Sequence, residues 1–195
     1  MKNRAENLGK INKATFTFKD AKSVGLDYYD LKVLEMNGEL CKVKRGIYQK
    51  ESFNSFDNES FHNALAYLGD PSAICLLSAF YYYGLTDEIP NQVWVYVPIT
   101  KYSHVENYKV IRKRDPKWNI GITNEDGFSI TDINRTVIDA LSDKKHVTDF
   151  ESVKIARVAL AEKKTSFDKL IQMAKKLGVY DRVKLKLTFL RDEYV

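Results

Sequence analysis

The chain has 195 residues, of which 44% are apolar and 29% are charged, a balance typical of a folded globular protein rather than a disordered one. It contains no run of about 18 apolar residues that would predict a membrane-spanning helix. The first residues show no apolar stretch of signal-peptide length. Cys41 and Cys75 are too few for a disulfide scaffold or a four-ligand zinc site. We therefore expect a cytoplasmic protein, and no metal or other cofactor is predicted.

The net charge of +5 is distributed unevenly along the chain. Residues 1–50 hold 11 Lys and Arg against 6 Asp and Glu, whereas residues 51–100 hold 6 acidic residues and no Lys or Arg. Residues 151–195 are basic again, with 11 Lys and Arg against 6 acidic residues. The basic ends predict surfaces that face a polyanion or an acidic partner, and the alternative is an ordinary solvated Lys-rich surface.

A short helix is predicted early in the chain. Thr17 and Asp20 have the spacing of a capping box, which predicts a helix from Phe18 to Ser23 that stops at Gly25. A preceding helix over about residues 2–13 would complete a three-helix core.

A second helix and a hairpin follow. Asp27 is the predicted cap of a helix from Tyr28 to Asn37, and Gly38 supplies the left-handed residue at its end. Residues 39–44 alternate as a strand with one apolar face, and a tight turn at Arg45-Gly46 begins the return strand. Helix, turn, helix and basic hairpin, in this order, predict a winged helix-turn-helix domain over residues 1–50.

This order predicts how the domain contacts DNA. The second helix fits the major groove, and the basic hairpin contacts the flanking phosphates, as do lysines beside the start of the shorter helix together with its N-terminal amides. The predicted DNA-binding residues are Lys19, Lys22, Tyr29, Lys32, Lys42, Lys44 and Arg45. Because Asp27, Asp30 and Glu35 repel phosphate, the second helix is not uniformly suited to DNA. A winged helix used for protein contacts alone is the alternative.

The polar, turn-rich segment 49–58 predicts a domain boundary, followed by a second domain over residues 58–195. Helices are predicted over residues 59–68, 71–83 and 131–141, and strands over 92–97, 108–112, 118–123 and 128–130. The part after residue 150 is predicted to be helical. Residues 183–190 fit both a strand and a helix, and the context favours a helix. The predicted fold class is α+β.

Signals for catalysis are weak. The three histidines, which read as surface or capping residues, are far apart in the sequence: His62, His104 and His146. The two cysteines read as small core residues. Arg135 and Asp139 are four residues apart on one predicted helix, which indicates an ion pair. No catalytic or metal-binding residue is therefore predicted, although a nuclease remains a distant alternative.

Three stretches carry a family resemblance. Residues 34–48 combine a helix end with a basic hairpin and a terminal Gly-Ile-Tyr. Residues 77–98 combine a Ser-Ala helix, a Gly-Leu turn and a valine-rich strand, and residues 130–139 combine a strand with an Arg-Thr-x-x-Asp helix. In this order, over about residues 10–140, they resemble the AbiEi-like antitoxins of the abortive-infection (AbiE) type IV toxin–antitoxin systems.

The resemblance implies a phage-defence antitoxin without enzyme activity. Its N-terminal domain would bind double-stranded promoter DNA at inverted repeats and repress its own transcription. Its C-terminal domain would counteract a nucleotidyltransferase-like toxin, and direct binding to that toxin is not generally required in such systems. The rival reading is a stand-alone regulator whose second domain binds a ligand or oligomerises.

The basic residues after position 150 are the predicted surface for the antitoxin function. They would serve either as a second DNA contact or as a face for an acidic partner. They are Lys154, Arg157, Lys163, Lys164, Lys175 and Lys176.

Overall fold

The computed structural model describes residues 3–13, 15–50, 59–101 and 108–192. Its fold is mixed α+β, with 48% helix and 19% strand, which confirms the predicted fold class. The chain divides into two compact units. The first unit is Met1–Ser72 with Asn124–Phe128, and the second is Ala73–Thr123 with Ser129–Val195.

The first unit contains helices packed on a small antiparallel sheet. Its elements are α1 (Arg4–Gly9), β1 (Thr15–Thr17), α2 (Phe18–Ser23), α3 (Tyr28–Met36), β2 (Leu40–Lys44), β3 (Ile47–Lys50) and α4 (Glu59–Leu68). The strand order is β1-β3-β2. The rings of Phe16 and Tyr48 stack with their centroids 5.9 Å apart, and Leu31 and Leu34 of α3 pack into the same core. This arrangement confirms α2, α3 and the β2–β3 hairpin, whereas the winged helix-turn-helix stays a prediction.

The first unit differs from expectation at its beginning. α1 covers Arg4–Gly9 rather than residues 2–13, because Asn3 caps its start and a glycine, a poor helix former, ends it. The short strand β1 was not predicted, and it forms because Thr15, Phe16 and Thr17 pair with β3. α4 also belongs to this unit, although the sequence predicted a second domain from residue 58. Most of the predicted boundary segment lies outside the described residues.

The second unit contains a mixed sheet and a cluster of helices. Its elements are β4 (Ala73–Ile74), α5 (Leu76–Tyr82), β5 (Val93–Pro98), β6 (Tyr108–Lys113), β7 (Ile122–Glu125), β8 (Phe128–Thr131), α6 (Ile133–Ser142), α7 (Asp149–Ala161), α8 (Phe167–Lys176) and α9 (Tyr180–Asp192). The strand order is β6-β5-β4-β8-β7. The end of β7, the following turn and Phe128 at the start of β8 are counted with the first unit. β5 pairs with β6 in parallel and with β4 in antiparallel orientation. The helix prediction for residues 183–190 is confirmed: Val183 and Leu187 lie in the core on one face of α9.

Two predictions for the second unit are wrong. Residues 71–83 do not form one helix, because Ala73 and Ile74 pair with Tyr96 and Val95 as an inner strand of the sheet. α5 begins only at Leu76. The strand predicted over residues 118–123 begins only at Ile122, because the backbone before it forms successive hydrogen-bonded turns over residues 115–121.

Three predictions about single residues are also corrected. Cys75 is buried, as predicted, but Cys41 is exposed on β2. Val43 is exposed too, so Leu40 is the apolar residue of this strand that enters the core. His62 is buried, in edge-to-face contact with Phe128 of the same unit, rather than a surface residue. His104 lies outside the described residues.

α6 runs through the centre of the helical cluster of the second unit. Its residues from Arg135 to Leu141 are all buried, since α5, α7, α8 and α9 pack around it. The predicted ion pair is confirmed, with Nε of Arg135 2.7 Å from Oδ2 of Asp139. Among the described residues, no helix is both long enough and apolar enough to span a membrane.

Candidate nucleic-acid interface

The start of α2 is bonded to the turn of the β2–β3 hairpin. The amide of Phe18 donates to the carbonyl oxygen of Gly46 at 2.9 Å. Lys19 and Arg45 are each one residue away from this hydrogen bond, and both are exposed. The backbone therefore brings basic residues of two separate elements to one place.

Capping boxes fix the first turns of α2 and α3. In α2, the hydroxyl of Thr17 accepts from the Asp20 amide at 3.2 Å, and the Asp20 carboxylate accepts from the Thr17 amide at 2.8 Å. Asp27 and Asp30 do the same in α3, at 2.9 and 3.1 Å. Because the box engages the Asp20 amide, this amide is not available for the phosphate contact predicted at the start of α2.

α3 has one buried and one exposed face. Leu31 and Leu34 are 1% exposed, whereas Tyr29 is 67% exposed. Lys32 is also exposed and lies three residues after Tyr29, so the two share the outer face of the helix. This face is available to a partner and contributes little to the core.

The acidic residues of these helices are mostly engaged. Asp30 is 2% exposed and accepts from the guanidinium of Arg4 at 2.8 Å. Asp20 lies 3.2 Å from the ammonium of Lys13. Burial raises the pKa of Asp20, but the hydrogen bonds from Thr17 and the charge of Lys13 outweigh it and lower the pKa below its usual value. The repulsion expected from Asp30 is therefore largely neutralised, while Glu35 stays exposed.

The structure places the predicted DNA-binding residues on three consecutive elements. Lys19 and Lys22 are exposed on α2, Tyr29 and Lys32 on α3, and Lys42 and Arg45 on the hairpin. Within the described part of the chain, none of the five basic side chains among these forms an ion pair. Lys44 is part of β2, and its side chain lies outside the described residues.

Arg4 is a residue that the sequence did not single out. Its guanidinium pairs with Asp30 and lies 5.9 Å from the centroid of the Tyr29 ring. It thus connects α1 to both the buried and the exposed face of α3. Its partner is 26 residues away in the chain, so no local pattern could have indicated it.

The six basic residues assigned to the antitoxin surface are all exposed in the second unit. Lys154 and Arg157 lie one turn apart on α7. Lys154 lines a cavity of about 340 Å³. The guanidinium of Arg157 lies 5.9 Å from the centroid of the Phe189 ring. Lys164 is used within the unit, where it donates to the Tyr83 carbonyl at 2.6 Å and pairs with Glu162. The others are Lys163, which follows α7, and Lys175 and Lys176 at the end of α8.

Among the described residues, no group of three or more histidine, cysteine or carboxylate side chains could hold a metal ion. No family model matches the chain. No curated protein matches it either.

Proposed function

We propose that the protein is a DNA-binding autorepressor and antitoxin of an AbiE-like system, and that its first unit is a winged helix-turn-helix. One observation carries the DNA-binding part. Five basic residues of α2, α3 and the hairpin are exposed and form no ion pair among the described residues: Lys19, Lys22, Lys32, Lys42 and Arg45. Asp20 and Asp30 of the same helices are paired. Such a surface attracts a polyanion, because its positive charge is not balanced locally.

In this proposal the outer face of α3 enters the major groove. Tyr29 and Lys32 contact base edges there. Lys19 and Arg45, which the bond between Phe18 and Gly46 brings together, contact phosphates of the flanking backbone, together with Lys22. Two copies bind the two halves of an inverted repeat.

The second unit, in the same proposal, counteracts a nucleotidyltransferase-like toxin in the cytoplasm. Lys154 and Arg157 on α7 are its first candidates, because they are exposed and adjacent on one helix face. Lys164 is a weaker candidate, since its ammonium already has two partners in the unit.

The salt dependence of DNA binding tests the phosphate contacts. If Lys19, Lys22, Lys42, Lys44 and Arg45 each contact one phosphate, the plot of log affinity against log salt has a slope of about −4 to −5 per monomer. Fluorescence anisotropy with promoter DNA measures it. The variant Lys10→Ala is the control and is expected to keep this slope. Lys10 is exposed in the same unit, but its ammonium pairs with the Glu6 carboxylate at 3.5 Å. A flat affinity between low and moderate salt would refute the interface.

The symmetry of the operator is a second test. Footprinting is expected to show two protected half-sites about one helical turn, or a multiple of it, apart. A single asymmetric protected patch would contradict binding by two copies.

Separation of repression from protection tests the whole proposal. The variant Lys32→Ala, Lys44→Ala, Arg45→Ala loses contacts of about 1–3 kcal/mol each, so it is expected to release the promoter. Expressed from an unrelated promoter beside the toxin, it is expected to protect growth fully. If a folded variant loses both repression and protection, the two functions are not divided between the units. Repression by the native chain without any protection would favour a stand-alone regulator.

A further inference from the structure

A cavity of about 420 Å³ in the second unit is lined by polar and charged side chains. It lies beside the C-terminal end of α6 and is also bordered by β5, β6 and α9, which contribute Tyr96, Lys113 and Arg182. Its volume falls within the range of small-molecule sites. A charged lining of this kind suits an ionic ligand rather than an apolar one.

Tyr96 is the buried part of this lining. Its side chain is 0% exposed, and its hydroxyl has no hydrogen-bond partner among the described residues. Burial raises the pKa of Tyr96 well above its usual value, so the hydroxyl keeps its proton and can donate. Buried hydroxyls are normally hydrogen-bonded, so a donor left without a partner beside a cavity indicates an acceptor that enters it.

Lys113 and Arg182 supply the unbalanced positive charge. The Lys113 ammonium lies 3.9 Å from the centroid of the Tyr96 ring, and its side chain is half-buried. Within the described residues, neither Lys113 nor Arg182 forms an ion pair. Lys144 and Lys145 also line the cavity, but they directly follow α6, where the negative end of the helix dipole favours cations.

The two carboxylates at the cavity are bound by other groups. Asp139 is paired with Arg135 at 2.7 Å. Asp143 accepts from the backbone amides of Lys145 and His146, at 2.7 and 2.6 Å, and lies 3.0 Å from Nδ1 of His146. These contacts offset the negative charges of Asp139 and Asp143 in the cavity lining. The positive charges of Lys113 and Arg182 are therefore left for a ligand.

We propose that this cavity binds a small phosphorylated molecule through its phosphoryl group. The Lys113 ammonium and the Arg182 guanidinium contact the phosphoryl oxygens, and the Tyr96 hydroxyl donates to one of them. Arginine and lysine are the usual partners of phosphate oxygens, and arginine adds a fork of two parallel donors. The cavity has room for an organic part beyond the phosphate. The site belongs to the second unit and does not depend on DNA binding by the first.

Isothermal titration calorimetry of the full chain at constant ionic strength tests the site. The probes are inorganic phosphate, adenosine monophosphate and, as the unphosphorylated control, adenosine. Saturable binding of both anions but not of adenosine is expected. Equal affinity for both would show that the phosphoryl group alone is recognised, and tighter binding of the nucleotide would show that the organic part contributes. No saturable binding of either anion up to about 10 mM would overturn the proposal.

Variants assign the contacts. Lys113→Gln and Arg182→Gln are each expected to weaken binding about tenfold or more, because a charge-assisted contact is lost. Tyr96→Phe removes a hydroxyl without a partner in the unit, so the fold is expected to persist while affinity falls severalfold; unchanged affinity would refute the role of the hydroxyl. Lys109→Gln is the matched control, because Lys109 lies on the same strand, 5.7 Å from the Trp94 ring, and does not line the cavity. Equal loss in this control and in Lys113→Gln would show unspecific charge attraction and overturn the site.

Discussion

α3 and α6 are helices of similar length, and each contains the aspartate of an arginine–aspartate ion pair. The two ion pairs have different roles. In α6 both partners are buried, and helices of the second unit surround them. In α3, Asp30 is buried but its partner Arg4 is 36% exposed and comes from α1. The first pair lies inside a core, whereas the second neutralises an acid beneath an exposed face. The same type of ion pair thus stabilises α6 inside a core and neutralises an acidic charge beneath the exposed face of α3.

The largest expected effect is in α6. Arg135→Ala leaves the Asp139 carboxylate buried without its partner, so it is expected to destabilise the second unit by about 3–5 kcal/mol. The change also removes the hydrogen bond to the Ile120 carbonyl. Both tryptophans of the chain, Trp94 and Trp118, lie in this unit, so denaturant unfolding followed by tryptophan fluorescence reports on it. An effect below about 1 kcal/mol would contradict the structural role of the pair.

Gly121 and Gly46 allow the cost of an added Cβ atom to be compared at a packed position and at an open one. Gly121 has φ +71°, and a Cβ there would lie 2.8 Å from Cβ of Arg135, so Gly121→Ala combines backbone strain with overlap. We expect a loss of about 3 kcal/mol in the second unit. Gly46 has φ +78° but open space around it, so Gly46→Ala is expected to cost about 1 kcal/mol in the first unit. Tryptophan fluorescence measures the first loss, and amide hydrogen exchange in α3 measures the second. Equal losses would contradict the packing around Gly121.

Breaking the pair under α3 should have an intermediate effect. Arg4→Ala leaves Asp30 buried but keeps its capping contact with Asp27, so the expected loss is about 2 kcal/mol in the first unit. Exchange of the Leu31 and Leu34 amides measures it. The unneutralised carboxylate should also weaken DNA binding, which anisotropy detects. Lys10→Ala, directly after the end of α1, serves as the control and should change neither quantity by more than about 0.5 kcal/mol.

The smallest expected effect is the pH dependence of the capping box of α2. The pKa of Asp20 is lowered in the folded state, so its contribution is present above the unfolded pKa of about 4 and is lost as the pH falls through the folded value. Asp20→Asn is expected to cost about 1 kcal/mol at neutral pH and progressively less in acid. Amide exchange in α2 as a function of pH measures the difference. Glu35→Gln, an exposed change in the same unit, is the control, and a pH-independent loss in Asp20→Asn would refute the electrostatic origin.

Much of the first unit could be predicted from the sequence because its signals are local. The capping pair Thr17–Asp20 and the cap Asp27 act over three residues, and they place α2 and α3 correctly. The pair Arg135–Asp139 was predictable for the same reason, since residues four apart meet on one helix face. The exposed positions of Lys19, Lys32 and Arg45 also followed from local patterns.

The features that the sequence did not reveal depend on distant partners. Ala73 and Ile74 have neighbours typical of a helix, yet they form a strand because β5 and β8 offer backbone partners far along the chain. The burial of Asp30 depends on Arg4, and the cavity beside Tyr96 depends on residues from β6, α6 and α9. The sequence by itself determined where α2 and α3 begin and end, because caps and glycines act over three or four residues. Only the tertiary structure decided that Arg4 neutralises Asp30 and that Lys113 and Arg182 meet at one cavity, because these contacts depend on side chains brought together from distant parts of the chain.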